Sequence, residues 1–250
     1  MQVLEGQKIL VTGGSRGLGL GLVEALAERK AQVTVLARDA ARLAELRHRL
    51  GVAVIAGDVT DRDLAARVLR EVRPEVLVLN AGAVPAMGPL HEQTWEGFSA
   101  AWNTDVKAGL HWIQEALRLP LPRGSRVLIS SSGAAVAGSP MSGGYAGAKR
   151  MLWLMAGYAN TVSAELDLGI RFQSLVLEQM VGGTGVGGAG AEAYARRKGV
   201  PVEAILANFG KPLPPRQYGE QVINILSDPA YAGGTSYGLK GDTGIRSLDT

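Results

Sequence analysis

No cysteine occurs among the 250 residues, which excludes disulfides, thiol nucleophiles and thiolate metal sites. Histidine is scarce too. His48, His91 and His111 are scattered without ligand spacing, so ordinary helix positions account for them better than a metal does. No run approaches the roughly 18 apolar residues that a membrane helix needs. The N-terminus has no basic flank leading into an apolar stretch and a small-residue cleavage site. A cytoplasmic, soluble chain without a membrane partner is therefore expected. Excess charge of one sign is missing as well: the net charge is +3. The densest basic group, Arg38, Arg42, Arg47 and Arg49, is interrupted by Asp39 and Glu45. It reads as a mostly solvated helix face, and no nucleic-acid partner is expected. Aromatic residues make up only 5% of the chain, but glycine is abundant, with 34, as suits many tight turns and close backbone approaches.

The length allows a substantial core, and the first half alternates short apolar runs with longer amphipathic ones. Strands are expected at 8–12, 32–37, 52–56 and 75–79, with helices at 17–29, from the Asp39 cap to about Leu50, and from near Asp61. The strands are almost continuously apolar, as when helices cover both faces of a sheet. The second half predicts helices over 95–119, 145–168, 192–198 and 217–226, and strands over 126–130, 170–177 and 235–239. The segment Gly182–Gly190 is too rich in glycine for regular structure and reads as a mobile lid. Repeated βα units argue for an α/β fold, a single doubly wound Rossmann-type domain over residues 1–250 with a parallel sheet.

Between the first strand and the first helix lies Thr12-Gly13-Gly14-Ser15-Arg16-Gly17-Leu18-Gly19. Glycines there let a pyrophosphate approach the helix N-terminus, where free N–H groups and the dipole favour anions. The second strand ends Ala37-Arg38-Asp39. An acid at that point accepts from a ribose 2′-hydroxyl, whereas a base pairs with a 2′-phosphate. Arg38, with Arg16 from the glycine turn, favours NADP(H) over NAD(H), because Asp39 is better used as a helix cap. Tyr145 and Lys149 stand four apart, on one face if the segment is helical. A positive charge about 5 Å from a phenol, at an effective dielectric of about 20, favours phenolate by roughly 3 kcal/mol. A tyrosine tuned in this way can pass a proton to or from a carbonyl oxygen.

Taken together, Thr12-Gly13-x-x-x-Gly17-x-Gly19, Asn80-Ala81-Gly82, Ser132 and Tyr145-x-x-x-Lys149 resemble the short-chain dehydrogenase/reductases, in order and spacing, over nearly the whole chain. The resemblance implies a sheet of about seven parallel strands with helices on both faces, and a homotetramer or homodimer. It also implies an oxidoreductase that moves a hydride between NADP(H) and a small carbonyl or alcohol substrate. Tyr145 would be the acid/base, Lys149 would hold the nicotinamide ribose and lower the phenol's pKa, and Ser132 would steady the substrate oxygen. Ser15, Arg16, Gly17, Leu18 and Gly19 would line the cofactor together with Thr12 and Gly13. Asn80, Ala81 and Gly82 would lie under it, and Asp58 and Val59 against its adenine. The three-residue gap between tyrosine and lysine favours carbonyl–alcohol chemistry over the double-bond reduction of enoyl-thioester reductases, which generally have six.

Two residues depart from that pattern. Asp105 stands where the family carries an asparagine whose main-chain carbonyl holds a water linking the lysine to solvent; Asn103 is the alternative counterpart. Leu177-Glu178 replaces a Pro-Gly that shapes the wall beside the nicotinamide, so Glu178 would bring a carboxylate close to the ring. These departures leave open a nucleotide-binding regulator or scaffold with little catalysis, and the end of the second strand leaves open an NAD-preferring dehydrogenase. Substrate selection is expected from the region 177–215, from 83–91 and from the C-terminal region. Trp102, Trp112 and Trp153 on the long helices are expected to pack in the core or at a subunit interface.

Overall fold

The computed structural model describes residues 4–249. The chain runs β1 (Lys8–Thr12), α1 (Gly17–Glu28), β2 (Gln32–Ala37), α2 (Ala40–Leu50), β3 (Ala53–Ala56), α3 (Arg62–Val72) and β4 (Val76–Leu79). It continues with α4 (Trp95–Ala101), α5 (Lys107–Arg118), β5 (Arg126–Ser132), α6 (Ala134–Ala137), α7 (Tyr145–Glu165), β6 (Arg171–Leu177), α8 (Gly185–Lys198), α9 (Val202–Ala207), α10 (Pro215–Ser227), β7 (Ser236–Lys240) and β8 (Gly244–Ser247). The sheet order is β3-β2-β1-β4-β5-β6-β7-β8, with every pairing parallel except β7 with β8. This is the Rossmann-like α/β architecture expected, with an antiparallel edge strand added.

Alternation along each strand divides the core in two. Ile9, Val11, Val76 and Val78 pack with Leu22, Val23 and Leu26 of α1 and Val222 of α10. Leu10, Leu77 and Leu79 pack on the other face with Val68 of α3, Trp112 of α5 and Leu152 of α7. Trp112 is fully buried and its Nε1 donates to the Val59 carbonyl at 2.9 Å. Trp112→Ala is therefore expected to cost about 3–5 kcal/mol, read as a lower urea midpoint at constant slope.

Three local expectations need correction. The helix anticipated over 95–119 is interrupted by a π-helical turn, Trp102–Val106; such turns widen the helix and re-aim its side chains. The glycine-rich segment is not irregular throughout, because α8 begins at Gly185. Thr184 caps it, accepting from the Gly187 N–H at 3.1 Å, and Gly199 closes it in the left-handed conformation. Close packing uses the missing side chains: a Cβ on Gly187 would overlap the Val181 carbonyl, and one on Gly190 would touch Met180. Helix propensity is low there, and tertiary contact overrides it. Finally, β8 extends the sheet beyond the last strand expected, as one arm of a hairpin with Lys240 opposite Gly244.

Candidate active site

Sheet order reverses beside β1, where β2 lies on one side and β4 on the other. The chain leaves adjacent strands in opposite directions there, which opens a crevice at their carboxyl ends. A cleft of about 1210 Å³ occupies it. The glycine turn after β1 forms one wall. Gly13 has φ +69°, and a Cβ on it would stand 2.7 Å from Ala81 Cα. A Cβ on Gly19 would overlap the Gly13 carbonyl oxygen and crowd Asn80 Nδ2. The turn is thus pressed against the segment after β4. Asn80 fixes it by donating to the carbonyls of Thr12 at 3.3 Å and Gly13 at 3.2 Å. Arg16, at the cap of α1, makes no side-chain capping bond, and no acid lies in the first turn. That helix end is electrostatically open to an anion.

Gly13, Ser15, Arg16, Gly17, Leu18, Gly19, Arg38, Asp58, Val59, Asn80, Ala81 and Gly82 all line this cleft. Thr12 is set apart from them: it is buried, with its Oγ1 donating to the Val78 carbonyl at 3.2 Å and accepting from Asn80 N at 3.1 Å and Ala81 N at 3.2 Å. It holds β1 to β4 beneath the crevice.

At the end of β2, Asp39 caps α2 by accepting from Arg42 N at 3.1 Å. Its other oxygen pairs with Arg42 Nε at 3.2 Å. Arg38 and Arg42 both line the cleft, so these two are not simply part of a solvated helix face. Asp58 accepts from Thr60 N at 2.8 Å and Thr60 Oγ1 at 2.9 Å. Those bonds, the backbone one first, outweigh its desolvation, and with help from Arg38 and Lys107 they hold its carboxyl below the usual range.

Across the cleft, Ser132 ends β5, Tyr145 opens α7, and Lys149 follows one turn later. Ser130 and Ser132 alternate with buried Ser131, whose Oγ donates to the Lys149 carbonyl at 2.8 Å and ties α7 to β5. Lys149 Nζ lies 5.6 Å from the centre of the Tyr145 ring. Asp105, in the π-helical turn, reaches in with its side chain: its Oδ2 is 2.9 Å from Lys149 Nζ. The expectation for this position centred on its main-chain carbonyl, and the ion pair is a different use of the residue. Burial pushes the Lys149 amine down, but the Asp105 carboxylate and the Tyr145 phenol more than offset this and leave it raised. Asn103 instead donates to Ser99 Oγ at 3.2 Å.

Glu178 also differs from expectation. It borders the cleft, but its carboxylate is engaged by Arg246 of β8, from Nε to Oε2 at 2.8 Å and from Nη2 to Oε1. The route passes over Gly238 of β7, where a Cβ would overlap Glu178 Oε2. The charge is therefore drawn toward the sheet edge, which the sequence could not reveal without β8.

Several lining residues were not singled out from sequence. Tyr194 of α8 shares a hydrogen bond of 3.1 Å with Ser139. Met87, Met180, Ile205 and Phe209 add an apolar wall. They come from separated segments with no shared motif, so the only signal was their membership of the regions 83–91 and 177–215.

A family model described as short chain dehydrogenase matches residues 7–176. Among curated proteins, the chain is 33% identical over 122 residues to an L-xylulose reductase of Homo sapiens, covering 48% of this chain and 50% of that protein. It is 33% identical over 157 residues to the hydroxynaphthalene reductase arp2 of Aspergillus fumigatus, covering 58% and 57%. An NADPH-dependent pterin aldehyde reductase of Arabidopsis thaliana is 26% identical over 183 residues, covering 69% and 74%. The chain spans about half the length of the first of these relatives.

Proposed function

The chain belongs to the short chain dehydrogenase family, and from that premise we propose that it is an NADP(H)-dependent carbonyl reductase or alcohol dehydrogenase. The observation that carries this reading is the convergence of Ser132, Tyr145 and Lys149 on the cleft that the glycine turn and Arg38 also line. The residues fit a dinucleotide phosphate. The turn has no side chain at Gly13 or Gly17 to fill the space, and the α1 N-terminus is uncapped. Arg16, Arg38 and Arg42 supply guanidinium groups for a 2′-phosphate. When bound, NADPH supplies the hydride. Tyr145 Oη delivers the proton to the carbonyl oxygen, and the Ser132 hydroxyl donates to that oxygen as charge develops on it. Lys149 favours the phenolate that remains, and Tyr145 takes the proton back in the oxidation direction. The apolar wall of Met87, Met180, Ile205 and Phe209 suits a substrate with an apolar body.

A reductase screen with ketones and aldehydes, followed by loss of NADPH absorbance, tests the activity. Nucleotide binding without turnover across the panel would favour a regulator or scaffold. Cofactor choice has its own test. Arg38→Ala is expected to weaken NADPH binding by about tenfold or more, the worth of a charge-assisted contact, with NADH binding unchanged. Equal loss of both nucleotides would remove the 2′-phosphate assignment.

A further inference from the structure

Asp105 differs from the asparagine expected at its position by one charge and one acceptor atom, and its two oxygens face different groups, Oδ1 in a hydrogen bond and Oδ2 in an ion pair. Its Oδ1 accepts from Ala83 N at 2.7 Å, and its Oδ2 faces Lys149 Nζ at 2.9 Å. An amide has a single acceptor oxygen, so it would give up one contact or turn an NH2 toward an ammonium. The Asp105 side chain is fully buried and that of Lys149 nearly so, at 0% and 8% exposure. A Cβ on Gly82 would lie 2.7 Å from Asp105 Oδ2, so the turn after β4 is packed onto the carboxylate.

We propose that Asp105 is a positioning residue that fixes Lys149 from the π-helical turn and offsets part of the positive potential Lys149 projects onto Tyr145. This rests on Tyr145 being the acid/base, and it adds a bias toward delivering a proton, the step that carbonyl reduction needs.

The ionisable groups at this corner, among the described residues, are few. Tyr145 and Lys149 come from α7, Asp105 from the π-helical turn, and Tyr218 from α10, where it acts on Lys149. From β5 come serines and the Ser130 carbonyl, 3.4 Å from Lys149 Nζ. Glu178, after β6, is held by Arg246. Tyr218 is itself pushed up by burial, with Ser130 and Lys149 pulling the other way. Asp105 is thus the carboxylate placed to balance Lys149.

The test is titration of Tyr145 in the full chain, followed by NMR of ring-labelled tyrosine and assigned with Tyr145→Phe. Asp105→Asn is expected to lower the Tyr145 pKa by about one unit, and Lys149→Met to raise it. A Tyr145 pKa in Asp105→Asn unchanged to within about 0.3 unit would overturn the proposal. A merely structural role would leave that pKa in place. If Asp105→Asn fails to fold, the double variant Asp105→Asn/Lys149→Met removes both buried charges together, which is better tolerated than orphaning one. Tyr145 is then expected within about one unit of wild type, and a larger rise would overturn the proposal. The titration needs no substrate. Retained turnover in Tyr145→Phe would sink the acid/base reading while leaving the measured effect of Asp105 standing.

Discussion

Tyr145→Phe is expected to lower kcat for carbonyl reduction by about three orders of magnitude, the usual worth of a positioned general acid, with NADPH affinity unchanged. The substitution removes one hydroxyl and keeps the ring. Tyr145 is buried, and its ring packs with Ala101 of α4 and Ala148 of α7, contacts that a phenylalanine repeats. Stability should therefore move little, and the loss should fall on kcat and kcat/KM alike, the mark of an interaction made in the transition state. Steady-state kinetics beside nucleotide titration separate the outcomes. A variant that keeps more than about a tenth of wild-type turnover contradicts proton transfer by this group.

The second large effect concerns the glycine turn. Gly19→Val should reduce NADPH affinity by about a hundredfold or more and lower the melting temperature. Its Cβ would overlap the Gly13 carbonyl oxygen and crowd Asn80 Nδ2. The neighbour is backbone, held in place by Asn80 donating to the Thr12 and Gly13 carbonyls. Relief requires moving the turn off Ala81, which would distort the row of N–H groups proposed to hold a pyrophosphate. Overpacking of this kind costs about 1–3 kcal/mol in stability, and the distortion adds lost binding contacts. Calorimetric binding of NADPH and a thermal melt read the two parts. Wild-type affinity in this variant would mean that the turn is not the phosphate cradle.

How far the sequence reached varies by element. The strands of the sheet's first half were legible because buried parallel strands are continuously apolar and their helices carry caps such as Asp39 and Asp61. The Tyr145–Lys149 face was legible because helical period alone puts residues four apart together. By contrast, α8 contains four glycines within its first six residues, and local propensity points away from helix there. Only the close approach of Val181 and Met180 repays an absent side chain. Similarly, β8 is four residues of mixed polarity, below any periodic signal, and exists as a strand because β7 offers it an edge.

The sequence by itself determined the alternation of strand and helix, the glycine turn after the first strand, and the tyrosine and lysine on one helical face. These depend on near-neighbour spacing and on intrinsic backbone preference. Which charges meet was decided by tertiary structure. Asp105 closes on Lys149 across 44 positions of chain because a π-helical turn aims it there, and Glu178 is drawn aside because Arg246 arrives on an added strand. Coulombic energy depends on distance in space and on burial, and neither is encoded in the local pattern of residues.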